Sequence, residues 1–310
     1  MDADISTWTL LAALNRWALY ALMLVSAGSA LFVLLTPMPQ RVADAALHLG
    51  KIATPLAALC FVAAMGFGGA EIMAGGLDSL WNGETWSMGA STSLGRSAAL
   101  GVPAMLILWA GCNWRLNVLL GLGAAGGILS FLVTGHAATA DPAWLAGAAV
   151  AGHLIGAAYW VGALFPLYCA ARDCDSTTAG GLTVAFSTRA LGLVSAIVAS
   201  GLVISWIQLA SFEALLSTSY GVRLVVKIGL FGALLALAAY NKLILTPRIL
   251  SGSSEAMVRL RQAIRVEYLL IVLVLAAAVT LTLTEPPRAL RHTDSEAAQN
   301  HAATPQSLSF

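Results

Sequence analysis

Two histidines are the side chains in this sequence best placed to do chemistry. His136 closes one long apolar run, and His153 lies inside the next one. Ionisable side chains within membrane-spanning segments are costly and usually functional. Neutral imidazole binds copper well and is also the common axial ligand of haem iron. The pair therefore predicts a metal or haem site, and the alternative for each is a buried histidine held by a backbone carbonyl or a hydroxyl group.

Methionine and cysteine could add softer ligands. Met73 and Met88 flank the polar connection over about residues 71–93, where thioethers could take up Cu(I), although methionine more often fills gaps in packing. Cys112 and Cys169 lie near those ends of apolar runs that should face the side of the membrane opposite to the 71–93 connection. Thiolates there could receive Cu(I). The cysteines lack the CxxC spacing of a strong metal signal, so packing is the favoured interpretation for them.

Charged side chains inside apolar runs form a second candidate group. Arg223 and Lys227 are four residues apart on one helical face, where like charges repel. They therefore need an anion or a carboxylate nearby, and Glu213 and Glu285 are candidates from the same side. This group predicts a proton or anion path, or stabilisation of haem propionates. The alternative is that the basic chains extend to the interface and pair structurally.

The composition indicates what kind of protein must position these residues. Of 310 residues, 59% are hydrophobic and 10% are charged, and the mean hydropathy is +0.82. Soluble domains carry roughly 25% charged residues, so an ordinary water-soluble enzyme is excluded. Lys and Arg number 16 against 15 Asp and Glu, a balance that argues against nucleic acid as a partner. The lipid bilayer is the expected surrounding.

Apolar runs of about 20 residues, each enough to cross a bilayer, predict an all-α polytopic membrane helix bundle of about eight transmembrane helices. The predicted spans are 8–35, 50–70, 94–113, 116–135, 142–170, 188–210, 220–245 and 263–283. Basic residues concentrate in the connections after the first, third, fifth and seventh spans, so the positive-inside rule places both termini outside, in the periplasm of a bacterium. These residues are Arg41, Lys51, Arg115, Arg172, Arg189, Lys242, Arg248, Arg259, Arg261 and Arg265.

The sequence divides into one long membrane domain and a short polar end. We assign residues 1–287 to the membrane domain. Residues 288–310 are rich in Ala, Ser, Thr, Gln and Asn, and this composition predicts a disordered C-terminal tail.

The membrane domain carries a faint internal repeat. Thr92–Arg96 opens the third span in the same way as Thr218–Arg223 opens the seventh. Gly28–Phe32 in the first span loosely echoes Gly162–Phe165 in the fifth. A duplication of four plus four spans in parallel orientation would explain these echoes, and shared apolar composition is the alternative.

The order of several short pieces resembles the copper resistance protein D (CopD) family of bacterial inner-membrane proteins. The pieces are Gly135-His136-Ala137, His153, Trp160–Leu164, Phe186–Leu191, Gly201, Thr218–Lys227, Asn241-Lys242, Arg265-Val266-Glu267 and Thr284–Pro287. The likeness covers about residues 130–287, while the first half matches in hydropathy, in Arg16 and in Thr92–Arg96. Each piece alone is weak, and their order makes the resemblance specific.

This resemblance implies a copper-handling protein of the bacterial inner membrane. It implies import of copper ions from periplasm to cytoplasm alongside a periplasmic copper-binding partner of the CopC type. His136 and His153 match histidines that recur in the family, so the implied copper site lies near them, with Met73 and Met88 on its outer side. Nothing outside the spans is long enough for a CopC-type domain, so the partner is expected to be a separate chain. Transport rather than catalysis is expected.

Two alternatives stay open. The pattern from His153 to Trp160-Val161-Gly162 also resembles the HemJ-type protoporphyrinogen oxidase family. That resemblance implies a haem-b-binding or quinone-linked membrane oxidoreductase with His153 as axial ligand. The other alternative is a membrane scaffold that binds copper without transporting it. The sequence has no P-loop, so any transport is expected to be facilitated or driven by a gradient.

Overall fold

Apolar runs fold into helices throughout the part of the chain that the structure describes. This structure is a computed structural model, and it describes residues 7–134, 142–209 and 211–284. Over those residues the chain is helical and contains no strand, which confirms the all-α prediction. The helices are α1 (Thr7–Leu35), α2 (Gln40–Ile72), α3 (Gly83–Ser91), α4 (Ser93–Trp114), α5 (Asn117–Leu129), α6 (Ala143–Asp173), α7 (Ser176–Leu209), α8 (Ala214–Ser217), α9 (Ser219–Tyr240), α10 (Thr246–Leu250) and α11 (Ser254–Thr282).

Two shorter elements interrupt this order. A 3₁₀ turn, Leu77–Trp81, lies between α2 and α3. A π-helical segment, Asn241–Leu245, joins α9 directly to α10. Segments of π-helix are rare and frequently mark functional sites, because they shift the backbone hydrogen bonds by one residue.

Seven of the described helical segments are long and apolar enough to cross a membrane. They are α1, α2, α4, α6, α7, the continuous run from α9 to α10, and α11. The prediction of a polytopic helical bundle is therefore confirmed. The orientation of the termini stays a prediction, and both His136 and the predicted tail at 288–310 lie outside the described residues.

The fourth predicted span, 116–135, is not among these seven, because it is shorter in the structure than the sequence predicts. Its helix α5 has 13 residues, and turns follow it as far as Thr134. The Ser97 hydroxyl of α4 donates to the Ser130 carbonyl at 2.7 Å in the protein interior. Because a side chain satisfies that carbonyl, the α-helical hydrogen bonds can end there without leaving a buried acceptor alone.

Several helices extend beyond their predicted spans on the side that carries the basic residues. Helix α2 begins at Gln40 instead of residue 50, and α7 begins at Ser176 instead of residue 188. Gln, Arg, Ala and Leu within residues 40–49 have good helix propensity and prolong α2. Residues 176–187 are instead rich in Ser, Thr and Gly, and this part of α7 packs against α10. As a consequence, many of the basic residues assigned to connections lie on helices and are fixed relative to the bundle.

Helix α6 is the central helix of the bundle. It packs against α1, α2, α7 and α11, and 72% of the residues in its apolar 18-residue stretch are buried. A helix that is apolar on all sides is expected in such a position. Tyr159 of α6 shares a hydrogen bond of 2.8 Å with Thr36, the residue after α1, and its ring stacks on Phe186 of α7. The residues of α6 that could do chemistry are therefore held from several sides.

Helices α1 and α6 meet through glycine. A Cβ atom added to Gly28 would collide with the Ala158 carbonyl oxygen, and one added to Gly162 would collide with the backbone of Gly28. Small residues at such positions let two membrane helices approach until their backbones touch. The two glycines that echo each other in the sequence are thus direct neighbours in the fold.

The other two similar segments of the sequence, Thr92–Arg96 and Thr218–Arg223, have the same local structure. The Thr92 hydroxyl accepts from the Gly95 N–H at the start of α4, and the Thr218 hydroxyl accepts from the Gly221 N–H at the start of α9. Each threonine follows a short helix, α3 or α8, and caps the long helix after it. This likeness supports the predicted duplication locally, while the duplication of the whole domain stays a prediction.

Replacing Thr218 by Ala is expected to lower the free energy of unfolding by about 1 kcal/mol, the usual effect of losing an N-cap side chain. The measurement is the thermal unfolding midpoint of the purified protein in detergent. Thr188→Ala is the matched control, because the Thr188 hydroxyl bonds only within α7, to the Val184 carbonyl. Equal midpoints for the two variants would contradict a capping role for Thr218.

Candidate metal centre

His153 lies on α6, facing α7. Its Nδ1 is 3.3 Å from the Ile197 carbonyl oxygen and 3.3 Å from the Ser200 Oγ. Ser200 is buried and its hydroxyl also donates to the Ile197 carbonyl at 3.1 Å. The backbone carbonyl and the hydroxyl together hold one edge of the imidazole ring.

This arrangement determines which ring nitrogen is available to a metal. A carbonyl oxygen can only accept a hydrogen bond, so the bond to Ile197 places the proton of the neutral ring on Nδ1 of His153. The lone pair is then on Nε2. Histidines that bind metals commonly donate their other N–H to a carbonyl or carboxylate in this way, because that bond fixes the tautomer. These bonds satisfy His153 as a buried polar residue, and the same arrangement suits a metal ligand, a role that stays a prediction.

Lys227 is the charged neighbour of His153. It lies on α9, close enough to interact electrostatically with the imidazole. Two positive charges there would repel each other, so His153 is best accommodated as a neutral ring. Neutral imidazole is the form that binds copper and haem iron.

Arg223 uses different partners from those that its sequence position suggested. Its guanidinium donates to the Thr280 carbonyl at 3.0 Å and to the Thr284 hydroxyl at 2.8 Å, both at the C-terminal end of α11. The partial negative charge of a helix C-terminus suits a cation. Arg223 therefore bridges α9 and α11. Glu213 is exposed just before α8, and Glu285 lies outside the described residues, so pairing with either carboxylate stays a prediction.

Met73 and Met88 belong to the same connection, between α2 and α4. Met73 is the C-terminal cap of α2, and its sulfur accepts a hydrogen bond of 3.4 Å from the Thr85 hydroxyl of α3. Met88 lies one turn after Thr85 on α3 and is partly exposed. The two thioethers are thus associated with one small helix at the surface, and their role as copper ligands stays a prediction.

A cavity lies at the other end of the bundle. Its volume is about 520 Å³, and residues of α2, α4 and α6 line it. His48, Cys112 and Cys169 all contribute to its wall. Sequence reasoning placed each of them near the end of a helix but did not bring them together, because that requires the packing of three helices.

The same cavity is lined by charged groups. Asp44 pairs with Arg115 at 2.6 Å, and Arg172 pairs with Asp173 at 2.8 Å. Arg41 and Lys51 add two further positive charges to the wall. Basic residues that follow the first, third and fifth predicted spans therefore meet at one end of the bundle, which is the pattern that the positive-inside rule uses to identify the cytoplasmic side.

The remaining cysteines are less suitable as ligands. Cys60 lies within α2 and does not line the cavity. Cys174 follows α6, outside the membrane-spanning segment, and burial, reinforced by the neighbouring Asp175 carboxylate, raises the pKa of its thiol.

The described residues contain no ready-made centre of three ligands. Among residues 7–134, 142–209 and 211–284, no group of three His, Cys, Asp or Glu side chains is close enough to hold one metal ion. His153 and the thiols of Cys112 and Cys169 are therefore separate candidate positions along the bundle. His136, the other predicted ligand, lies outside the described residues.

The comparisons with known proteins agree with the resemblance seen in the sequence. Residues 181–281 match the family model described as copper resistance protein D, CopD. The copper transport protein CutJ of Bacillus subtilis (strain 168) is 31% identical over 167 residues, which are 52% of this chain and 30% of the relative. The matched part thus spans less than a third of the length of that relative. No solved structure matches the chain. The resemblance to the CopD family is confirmed for residues 181–281, which run from the beginning of α7 almost to the end of α11.

Proposed function

We propose that this chain handles copper in a bacterial inner membrane and moves copper ions from the periplasm to the cytoplasm. One structural observation carries the proposal. His153 is anchored through Nδ1 to the Ile197 carbonyl inside a membrane helix, so its Nε2 keeps a lone pair for a metal ion. The match of residues 181–281 to the CopD family and the likeness to a copper transport protein support copper as that metal.

The positions of the candidate ligands support a path across the bundle. His153 and Cys169 lie on the same helix, 16 residues or about 24 Å apart at 1.5 Å per residue. Imidazole near one end and thiols near the other provide soft ligands at both, and thiolate is a strong ligand for Cu(I). The thiols are at the basic end of the bundle, which is the expected cytoplasmic side, so inward movement is the direction that we propose.

The outer end of the path involves residues proposed from the sequence. His136 would add a second imidazole, and Met73 and Met88 would take up copper at the surface of α3. A periplasmic copper-binding protein of the CopC type would deliver copper to these thioethers. The proposal is transport and not catalysis, so no reaction step is assigned to any residue.

Copper flux into proteoliposomes tests this function. The purified protein, reconstituted into vesicles that contain a copper-sensitive dye, is expected to carry copper inward, and vesicles without protein are the baseline. The double variant Cys112→Ser, Cys169→Ser is expected to slow this flux by about tenfold or more, because a hydroxyl is a much weaker ligand for Cu(I). Cys60→Ser is the matched control, since Cys60 does not line the cavity.

The outcomes separate the proposal from its competitors. Wild-type vesicles that carry copper no faster than empty ones, while the purified protein binds copper tightly, would favour a scaffold over a transporter. Equal flux for the double variant and for Cys60→Ser would remove the thiol-lined cavity from the path.

A further inference from the structure

Glu267 is a buried carboxyl group that the proposed copper path does not use. It lies in the middle of α11, a membrane-spanning helix, and only 3% of its surface is exposed. No ion pair among the described residues involves it. An ionised carboxylate without a cation is strongly disfavoured in such surroundings. The side chain therefore needs either a proton or a bound cation.

Asn241 provides the first partner. Its Nδ2 donates to Oε1 of Glu267 at 2.7 Å, across the contact between the π-helical segment and α11. The Asn241 Oδ1 atom is buried and has no hydrogen-bond partner among the described residues. Burying a hydrogen-bond acceptor without a donor is costly. The Asn241 Oδ1 atom therefore indicates a neighbouring group that carries a hydrogen and donates to it.

A carboxylic acid satisfies both groups at once. A primary amide and a neutral carboxyl group can form two hydrogen bonds to each other, one N–H to the carbonyl oxygen and one O–H to the amide oxygen. The first of these bonds is present between Asn241 and Glu267. The second needs a proton on Oε2 of Glu267, which would donate to the orphaned Oδ1. Reversing the amide would also require that proton, because two acceptor oxygens would then face each other.

Trp160 provides a hydrogen-bond partner for the ionised form of Glu267. Its indole N–H lies within interaction range of the Glu267 carboxyl as a donor, but it meets full hydrogen-bonding geometry with no atom in the described part of the chain. Trp160 is itself buried, against Phe231 of α9. A small rotation of the carboxylate could make the indole N–H a donor to it after the proton has left. The carboxyl thus has one polar partner suited to each protonation state.

Several charged groups of the neighbouring helices are hydrogen-bonded elsewhere or exposed. Arg16 of α1 donates to Thr282, about four turns away along α11, and Arg265 of α11 donates to the Tyr168 hydroxyl of α6. Lys242 in the π-helical segment and Arg248 on α10 are exposed. Other titratable groups on the helices packed against α11 include Tyr20 on α1, His153, Tyr159 and Cys169 on α6, and Tyr220, Lys227 and Tyr240 on α9, while Tyr268 is the residue next to Glu267.

We infer that Glu267 and Asn241 form an exchangeable proton-binding site inside the membrane, and that a proton leaves it when copper passes. The proton is shared between Oε2 of Glu267 and Oδ1 of Asn241, and release converts the acid to a carboxylate that accepts from Trp160. Movement of one Cu(I) inward with one proton outward leaves the net charge across the membrane unchanged. The proton site stands independently, whereas its coupling to copper rests on the proposed function.

Infrared spectroscopy of the reconstituted protein tests the proton site without copper. The wild-type protein is expected to show the carbonyl stretching band of a protonated carboxyl group at neutral pH. That band should disappear in Glu267→Gln and persist in Glu255→Gln, a control on the exposed first turn of the same helix. A band that is absent from the wild type, or present in Glu267→Gln, would overturn the proton site. If Glu267→Gln does not fold, Asn241→Ala should shift the band by removing its partner, and an unshifted band overturns the site equally.

Copper flux under a pH gradient tests the coupling. A gradient of one pH unit changes the driving force for a one-to-one exchange by about tenfold in concentration ratio. The accumulation ratio of copper in wild-type vesicles is expected to follow the gradient, whereas that in Glu267→Gln should not. Flux that ignores the gradient in the wild type would overturn the coupling and leave copper transport intact. An infrared band without any copper flux would overturn the coupling together with the proposed function, and would leave the proton site standing.

Discussion

His153→Ala is expected to lower copper flux through the reconstituted protein by more than about tenfold, since even the loss of a group that only orients a metal ligand costs 10- to 100-fold. The substitution removes the imidazole that the Ile197 carbonyl and the Ser200 hydroxyl hold in place. Copper uptake by vesicles and the copper content of the purified protein are the two measurements. Both should fall together, because a missing ligand weakens binding as well as passage.

Two comparisons make the result specific. Tyr159→Phe is the matched control, because it removes a buried hydroxyl from α6 that bonds to Thr36 and not to His153. It should retain wild-type flux. Normal flux in His153→Ala would contradict the assignment of this histidine to the path. A Soret band in the wild-type protein that disappears in His153→Ala would instead assign the residue to haem, and with it the function to an oxidoreductase.

Gly162→Leu is expected to prevent stable assembly of the bundle. A side chain at this position meets the backbone of Gly28, which cannot rotate away as a flexible side chain would. Overpacking a well-packed interior typically costs 1–3 kcal/mol and occasionally more, and we expect about 3 kcal/mol or more here because backbone atoms form the obstacle. The yield of monodisperse protein in detergent and its thermal unfolding midpoint are the measurements.

Gly147→Leu is the matched control for that prediction. It lies on the same helix, and a Cβ atom added there meets nothing within 4 Å. Both variants change helix propensity equally, so the difference between them isolates the contact between α1 and α6. Equal yields and midpoints would show that this contact does not hold the bundle together.

Most of the fold was predictable because apolar runs of sufficient length leave few alternatives in a membrane. The ends of the helices were less predictable. Helix α2 begins ten residues before its predicted span because residues with good helix propensity prolong it. Helix α5 ends early because Ser97, on another helix, satisfies the Ser130 carbonyl. The first effect is local and the second depends on packing, which the sequence alone does not display.

The candidate site was predictable in its residues and not in their partners. His153 stood out as an ionisable residue within an apolar run, but Ile197 and Ser200 are 44 and 47 residues away. Which face of α7 meets α6 cannot be read from helices that are apolar all round. The same limit hid the pairing of Asn241 with Glu267, 26 residues apart. An amide and a carboxyl inside apolar runs were the available signal, and Asn241 was noticed only as part of a resemblance.

The contact of α1 with α6 also constrains how the molecule can move. Two backbones that already touch cannot approach further, and separating them would open a gap lined by glycine that lipid fills poorly. Helices α1 and α6 are therefore expected to stay in fixed contact while other helices move around them. Under the proposed transport function, rocking between outward-open and inward-open shapes would fall to the run from α9 to α10, because α7 packs extensively against α6. That run buries only 11% of its apolar 18-residue stretch, against 72% for α6.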